Sequence, residues 1–215
     1  MRTDERIERA RVLCEQASFY GDAAALAVAE AELDAVEADL ALARGRILHA
    51  RFLDSGVEDP AELALFERAS ELYRAHGDVR GEAESLFWVG TFHQVVRRDH
   101  DAGVPVLRRS HELATRAGDE LTMSYALRHL GIAAHVAGEL ADARDLLEES
   151  TRLRRELGFL PGVAANLVGL AYIAAAEDRR DDATRMLDEA AEIADAGGAR
   201  TVRRWVDEAR ETVEG

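Results

Sequence analysis

Lysine is missing from this chain of 215 residues, so all 27 basic residues are arginine. Walker-type phosphate loops, pyridoxal Schiff bases and lysine general bases are thereby excluded. There is one cysteine, Cys14, which rules out intramolecular disulfides, CxxC redox pairs and multi-cysteine zinc sites. No stretch reaches the ~18 apolar residues of a membrane span. The opening Met1-Arg2-Thr3-Asp4-Glu5-Arg6 also lacks an apolar signal core. A soluble, cytoplasmic chain with no membrane partner is therefore expected. A basic excess is lacking too: 42 acidic residues leave a net charge of −15. The arginines are interleaved with acids, as where Arg152, Arg154 and Arg155 stand among Glu148, Glu149 and Glu156. Nucleic-acid binding depends on a clustered basic stripe, so no nucleic-acid partner is expected.

What the chain does contain is self-similarity. The segment Glu71-Leu72-Tyr73-Arg74-Ala75-His76-Gly77-Asp78 returns as Glu112-Leu113-Ala114-Thr115-Arg116-Ala117-Gly118-Asp119, and again near residues 153–158 and 193–198. Gly77, Gly118, Gly158 and Gly198 follow one another at spacings of 41, 40 and 40. Nine residues after the first three glycines come Leu86, Leu127 and Leu167, and four further on Gly90, Gly131 and Ala171. Leu86, Val89, Gly90 and His93 form one helical stripe, repeated by Leu127, Leu130, Gly131 and Ala134 and by Leu167, Leu170, Ala171 and Ala174. A second helix follows each first helix, with Phe66, Leu107, Leu147 and Leu187 in one column and Ala69, Ser110, Ser150 and Ala190 in another. The turn glycines suit left-handed C-caps. Hairpins of this kind cannot bury their own apolar faces alone and must stack on neighbours.

These columns resemble the tetratricopeptide repeats. The likeness is closest to the long variant, about 40 residues per unit, of kinesin light chains and of sensor modules in bacterial transcription regulators. It covers residues 80–198 clearly and 40–78 more weakly, where Glu62 replaces a small residue and the connection Asp54 to Pro60 is longer. The resemblance implies an all-α, right-handed superhelix of stacked antiparallel helix hairpins. It also implies a concave groove, lined by first helices, that holds a peptide or a partner's helix. The lysine/asparagine carboxylate clamp of chaperone-binding members has no counterpart here, since lysine is missing and Asn166 is the one asparagine.

The ends read as caps within a single domain spanning 1–215. Residues 1–53 would hold capping helices and the start of the weak repeat, 54–198 the repeats, and 199–215 a closing helix. Leu26, Leu33, Leu40 and Ile47 are seven apart, which predicts one long helix over 22–53, packed by another over about 3–19. Val202, Val206, Ala209 and Val213 give the closing helix a narrow apolar stripe.

Catalytic patterns are not found. His111-Glu112 begins like a zincin motif, but position 115 is threonine. No histidine lies three residues after a glutamate, and no GxSxG, GxGxxG or calcium-loop pattern occurs. The expectation is a non-enzymatic protein with no cofactor, no metal and no catalytic residue.

With Gly90, Gly131 and Ala171 taken as the inner packing position, groove-facing residues lie off that stripe. These are Phe87, Trp88, Thr91 and Gln94, then Tyr125, Arg128, His129, Ile132 and His135, then Val168, Tyr172 and Ala175, with Arg46 and His49 from the weaker unit. The set is basic and aromatic, with Glu84 at its edge. Arg128 would fork onto a carboxylate of a peptide, protein or small ligand, His135 and Gln94 would add hydrogen bonds, and the aromatics would form walls. The competing structural reading packs Trp88 and His129 between helices and pairs Arg128 with an acid. Two other functional readings remain. One is assembly through homodimerisation, using the seam over 22–53 with Leu65, Phe66 and Tyr73. The other is a cofactor-free enzyme or small-molecule sensor using the groove.

Overall fold

The computed structural model describes residues 4–214. Thr3, placed by the sequence in the first helix, lies outside the described residues, as do Met1, Arg2 and Gly215. Among the described residues the chain is all-α, with no strand. The helices are α1 (Glu5–Tyr20), α2 (Ala24–Ser55), α3 (Ala61–His76), α4 (Val79–Thr91), α5 (His100–Ala117), α6 (Glu120–Val136), α7 (Leu140–Glu156), α8 (Leu160–Ala176), α9 (Arg180–Ala196) and α10 (Arg200–Glu214). A π-helical turn, Phe92–Val96, continues α4. The chain divides into two compact units, Met1–Leu113 and Ala114–Gly215, with the boundary inside α5.

In the first unit α2 is one helix of 32 residues, as its heptad spacing predicts. Successive helices α1 to α4 pack as neighbours. The core joins Ala38, Leu42, Phe66, Ala69, Leu72 and Tyr73, with Trp88 against it. Phe66 and Tyr73, expected above as assembly residues, are buried in this core, and Leu65 is half-buried against it. Gly45 lets α2 approach α3, because a Cβ there would run into the Phe66 ring.

In the second unit α6 packs on α7, α7 on α8, α8 on α9, and α10 on both α8 and α9. Its core includes Leu147, Val163, Leu167, Ile173, Leu187 and Ala190. Val202, Val206, Ala209 and Val213 close it from α10, so the narrow stripe does face inward. Equivalent columns make equivalent bonds. Ser110 Oγ donates to the Ala83 carbonyl (2.7 Å) in one unit, and Ser150 Oγ donates to the Ser124 carbonyl (2.6 Å) in the other.

Gly77, Gly118, Gly158 and Gly198 all adopt φ between 64 and 70°, the left-handed closure expected from their spacing. The first helices close on a second left-handed column that the sequence reading missed. It consists of Arg98 (φ 55°), Gly138 (φ 80°) and Asp178 (φ 59°), and its numbers are 40 apart. Gly90 and Gly131 are 41 apart, so the one extra residue of the first spacing lies between Gly90 and Arg98. The π turn at Phe92–Val96 occupies that interval. A π turn takes up one additional residue without breaking the helix. The 41-residue interval and the local change in helix type are thus one feature.

Candidate functional site

In the first unit the expected groove residues divide into buried and reachable groups. His49, Phe87, Thr91 and Gln94 are buried, packed into the unit rather than presented to solvent. His49 Nδ1 lies 2.8 Å from Glu62 Oε1, and Glu62 is fully buried with its second oxygen lacking a partner. Burial pushes the Glu62 carboxyl up from its ordinary pKa, while the His49 hydrogen bond pulls the other way. Gln94 Nε2 donates to His100 Nδ1 (3.2 Å), from within the π turn. Trp88 is half-buried. It stacks on Phe66 (5.6 Å) and meets His49 edge-on (5.3 Å). Arg46 is exposed, pairs with Glu84 (3.1 Å) and lies over the Trp88 ring (5.7 Å).

The second unit is different. Tyr125, Arg128, His129, Ile132 and His135 on α6, and Tyr172 on α8, are all half-buried. Val168, in the same expected row, is buried, and Ala175 is half-buried. Arg128 Nη1 donates to the Ala165 carbonyl (2.7 Å) and to Asn166 Oδ1 (3.1 Å). Among the described residues it pairs with no acid, unlike in the competing reading above: α8 presents a carbonyl and an amide to it instead.

Asn166 is fully buried. Its Oδ1 accepts a second hydrogen bond, from Arg154 Nη1 (2.9 Å), and its Nδ2 donates to Ser150 Oγ (2.9 Å). Arg154, on α7, is only 2% exposed. It also donates from Nη1 to the Gly162 carbonyl (2.9 Å) and from Nε to Ser124 Oγ (3.4 Å). Its guanidinium lies over the rings of Tyr125 (5.1 Å) and Phe159 (5.5 Å). The remaining nitrogen, Nη2, is buried with no hydrogen-bond partner. Loss of water pushes Arg128 down to about 10. Arg154 falls to about 9, from burial first and then from the charge of Arg128.

Arg154 was hidden in a charged run, yet its column gave a signal. It stands four residues before Gly158, where Tyr73, Ala114 and Ala194 stand before their own turn glycines. All four are buried. An arginine in an apolar column is a buried arginine. Asn166 follows the same rule, sharing its column with buried Ser85 and Ala126. Among the described residues no group of three or more His, Cys, Asp or Glu side chains is placed to hold a metal ion, and no helix is long and apolar enough to cross a membrane. Comparison with known proteins finds no family model and no curated protein that matches the chain.

Proposed function

We propose that this chain is a tetratricopeptide-type protein that recognises a peptide or protein partner without transforming it, and that the partner presents a carboxylate. The observation carrying this reading is the half-buried row on α6 and α8: Tyr125, Arg128, His129, Ile132, His135 and Tyr172. In a chain of net charge −15, that row is basic and aromatic. Amphipathic aromatic and arginine side chains supply most of the energy at recognition surfaces. Capture of partners from the source cell by the wild-type chain, compared with an Ile132→Glu/Tyr172→Glu variant of unchanged helical circular dichroism, tests it. Partners recovered by the wild type and lost by the variant support the reading; equal recovery by both removes it.

A second reading, self-association, is favoured by α2. Leu26, Leu33, Leu40 and Ile47 remain 45–54% exposed. Glu30 and Glu37 accompany this row in one half of the helix, and Arg44 and Arg51 in the other. An antiparallel second copy would set Glu30 against Arg51 and Glu37 against Arg44, as charged flanks do along coiled-coil seams. Light scattering on the wild type and a Leu33→Glu/Leu40→Glu variant decides it. A wild-type monomer ends this reading.

A further inference from the structure

We propose that Arg128 and Arg154, bridged by Asn166, form a receptor for an oxyanion, a carboxylate or a phosphate group. In naming the group that the α6–α8 face holds on its partner, the proposal rests on the recognition reading above.

The case begins with charge. Burying a cation is costly unless it is paired. Among the described residues at least fifteen other arginines have a carboxylate within ion-pair distance. Among the described residues Arg128 and Arg154 have none, although carboxylates outnumber arginines in this chain. They are instead drawn together on one neutral oxygen, Asn166 Oδ1, so each raises the cost of charging the other.

The geometry adds a buried donor that has no hydrogen-bond partner among the described residues. Arg154 is held at Nε and Nη1 and flanked by two rings, while Nη2 is buried and makes no hydrogen bond. A purely structural arginine would have its last donor on an acceptor of the fold, as Nε has on Ser124 Oγ and Nη1 on the Gly162 carbonyl and Asn166 Oδ1. Arg128 is only half-buried and makes its hydrogen bonds through Nη1 alone. It therefore joins the buried cation to the surface. An anion with two or more oxygens can take donors from both guanidinium groups, whereas a single amide oxygen cannot neutralise either. Charge-assisted and forked bonds of this kind are the strong ones in anion recognition.

The test is thermal unfolding at constant ionic strength, with chloride exchanged for phosphate in one arm and for acetate in the other. Phosphate, acetate or both should raise the wild-type midpoint, by about 5–10 °C at a concentration 100-fold above Kd. The responding arm assigns the source. Arg128→Gln, at a half-buried position, should unfold as cooperatively as wild type and show no response. Asn166→Asp should raise the midpoint in chloride and also lose the response, because a built-in carboxylate replaces the ligand. Equal midpoints in all three salts, or a response retained in Arg128→Gln, overturns the proposal. If anions fail while the Ile132→Glu/Tyr172→Glu variant still loses its partner, the oxyanion site falls and the recognition reading stands. If anions act through Arg128 but partner capture ignores both variants, the recognition reading falls instead.

Discussion

Arg128 and Arg154 meet on a single acceptor: Asn166 Oδ1 takes a hydrogen bond of 3.1 Å from the first and 2.9 Å from the second. The two cations come from α6 and α7, and the amide from α8. Asn166 also donates to Ser150 Oγ, which donates to the Ser124 carbonyl. One buried side chain thus ties three helices of the second unit into one polar network. Such networks rigidify when every member is satisfied and are costly when one is removed.

Asn166→Leu keeps the branched shape and deletes the acceptor. It leaves two guanidinium groups without their shared oxygen and should cost about 2–4 kcal/mol, as expected when a buried charged group loses its partner. Urea unfolding followed by circular dichroism measures this. A loss below about 1 kcal/mol, the level of an ordinary surface change, would mean that Asn166 does not carry the bridge.

The backbone was legible because repeat spacing, turn glycines and helical stripes each report on packing that local sequence must satisfy. The succession of helices among the described residues, the long α2 and the left-handed column at Gly77, Gly118, Gly158 and Gly198 follow from those signals. Exposure on the first helices was less legible. A wheel centred on Gly90 turns Phe87 and Thr91 outward, but α4 is packed closely enough to bury both. Gln94 was displaced by the π turn, which a regular wheel cannot represent. Arg154 and Asn166 escape a reading by residue type, which suggests solvent for both, although their columns are buried. In a repeat array the column is the better guide to burial, since each unit repeats the same contacts.

Glu62 sets a pH dependence in the first unit. Its carboxyl has a raised pKa in the fold, so the folded state holds a proton that the unfolded state releases above about 4.5. The stability contributed by the protonated form is complete below the unfolded pKa and is lost as pH rises through the folded one. Glu62→Gln keeps a partner for His49 and removes the titration. Its advantage over wild type should grow between pH 4 and pH 7. Carboxylates with lowered pKa, Glu37 and Asp182 among them, act in the opposite sense but cancel between the two proteins. A difference in unfolding free energy that stays flat across this range would refute the assignment.

The left-handed column ending the first helices carries glycine once and other residues twice. Arg98 (φ 55°) is an exposed non-glycine residue in this left-handed region. Arg98→Gly should raise stability by about 0.5–1 kcal/mol, since only glycine enters this region without steric cost. Asp178→Gly should gain less, because aspartate tolerates the conformation better than most residues. Gly138→Ala should lose about 1 kcal/mol by the same rule. Unfolding midpoints ordered otherwise would show that the column is not governed by backbone strain.

The π turn at Phe92–Val96 absorbs one residue, and that makes a deletion informative. Removing Val95 leaves the register of Gly90 before it unchanged and restores the 40-residue spacing to Gly131. The helix should then run as regular α-helix into the same left-handed closure at Arg98. The core contacts of Leu107, which lies against Gly90, should persist. We expect ΔVal95 to remain folded within about 2 kcal/mol of wild type, in the range of a tolerated single change, with Gln94 released from His100. Removing Val168 from α8 is the control. There no π turn stores an extra residue, so the deletion rotates everything beyond it by ~100° and pulls Ala171, Ile173 and Ala174 out of the second core. ΔVal168 should lose cooperative unfolding altogether. Equal damage from the two deletions would mean that the π turn is required by the packing around it and is not a stored insertion.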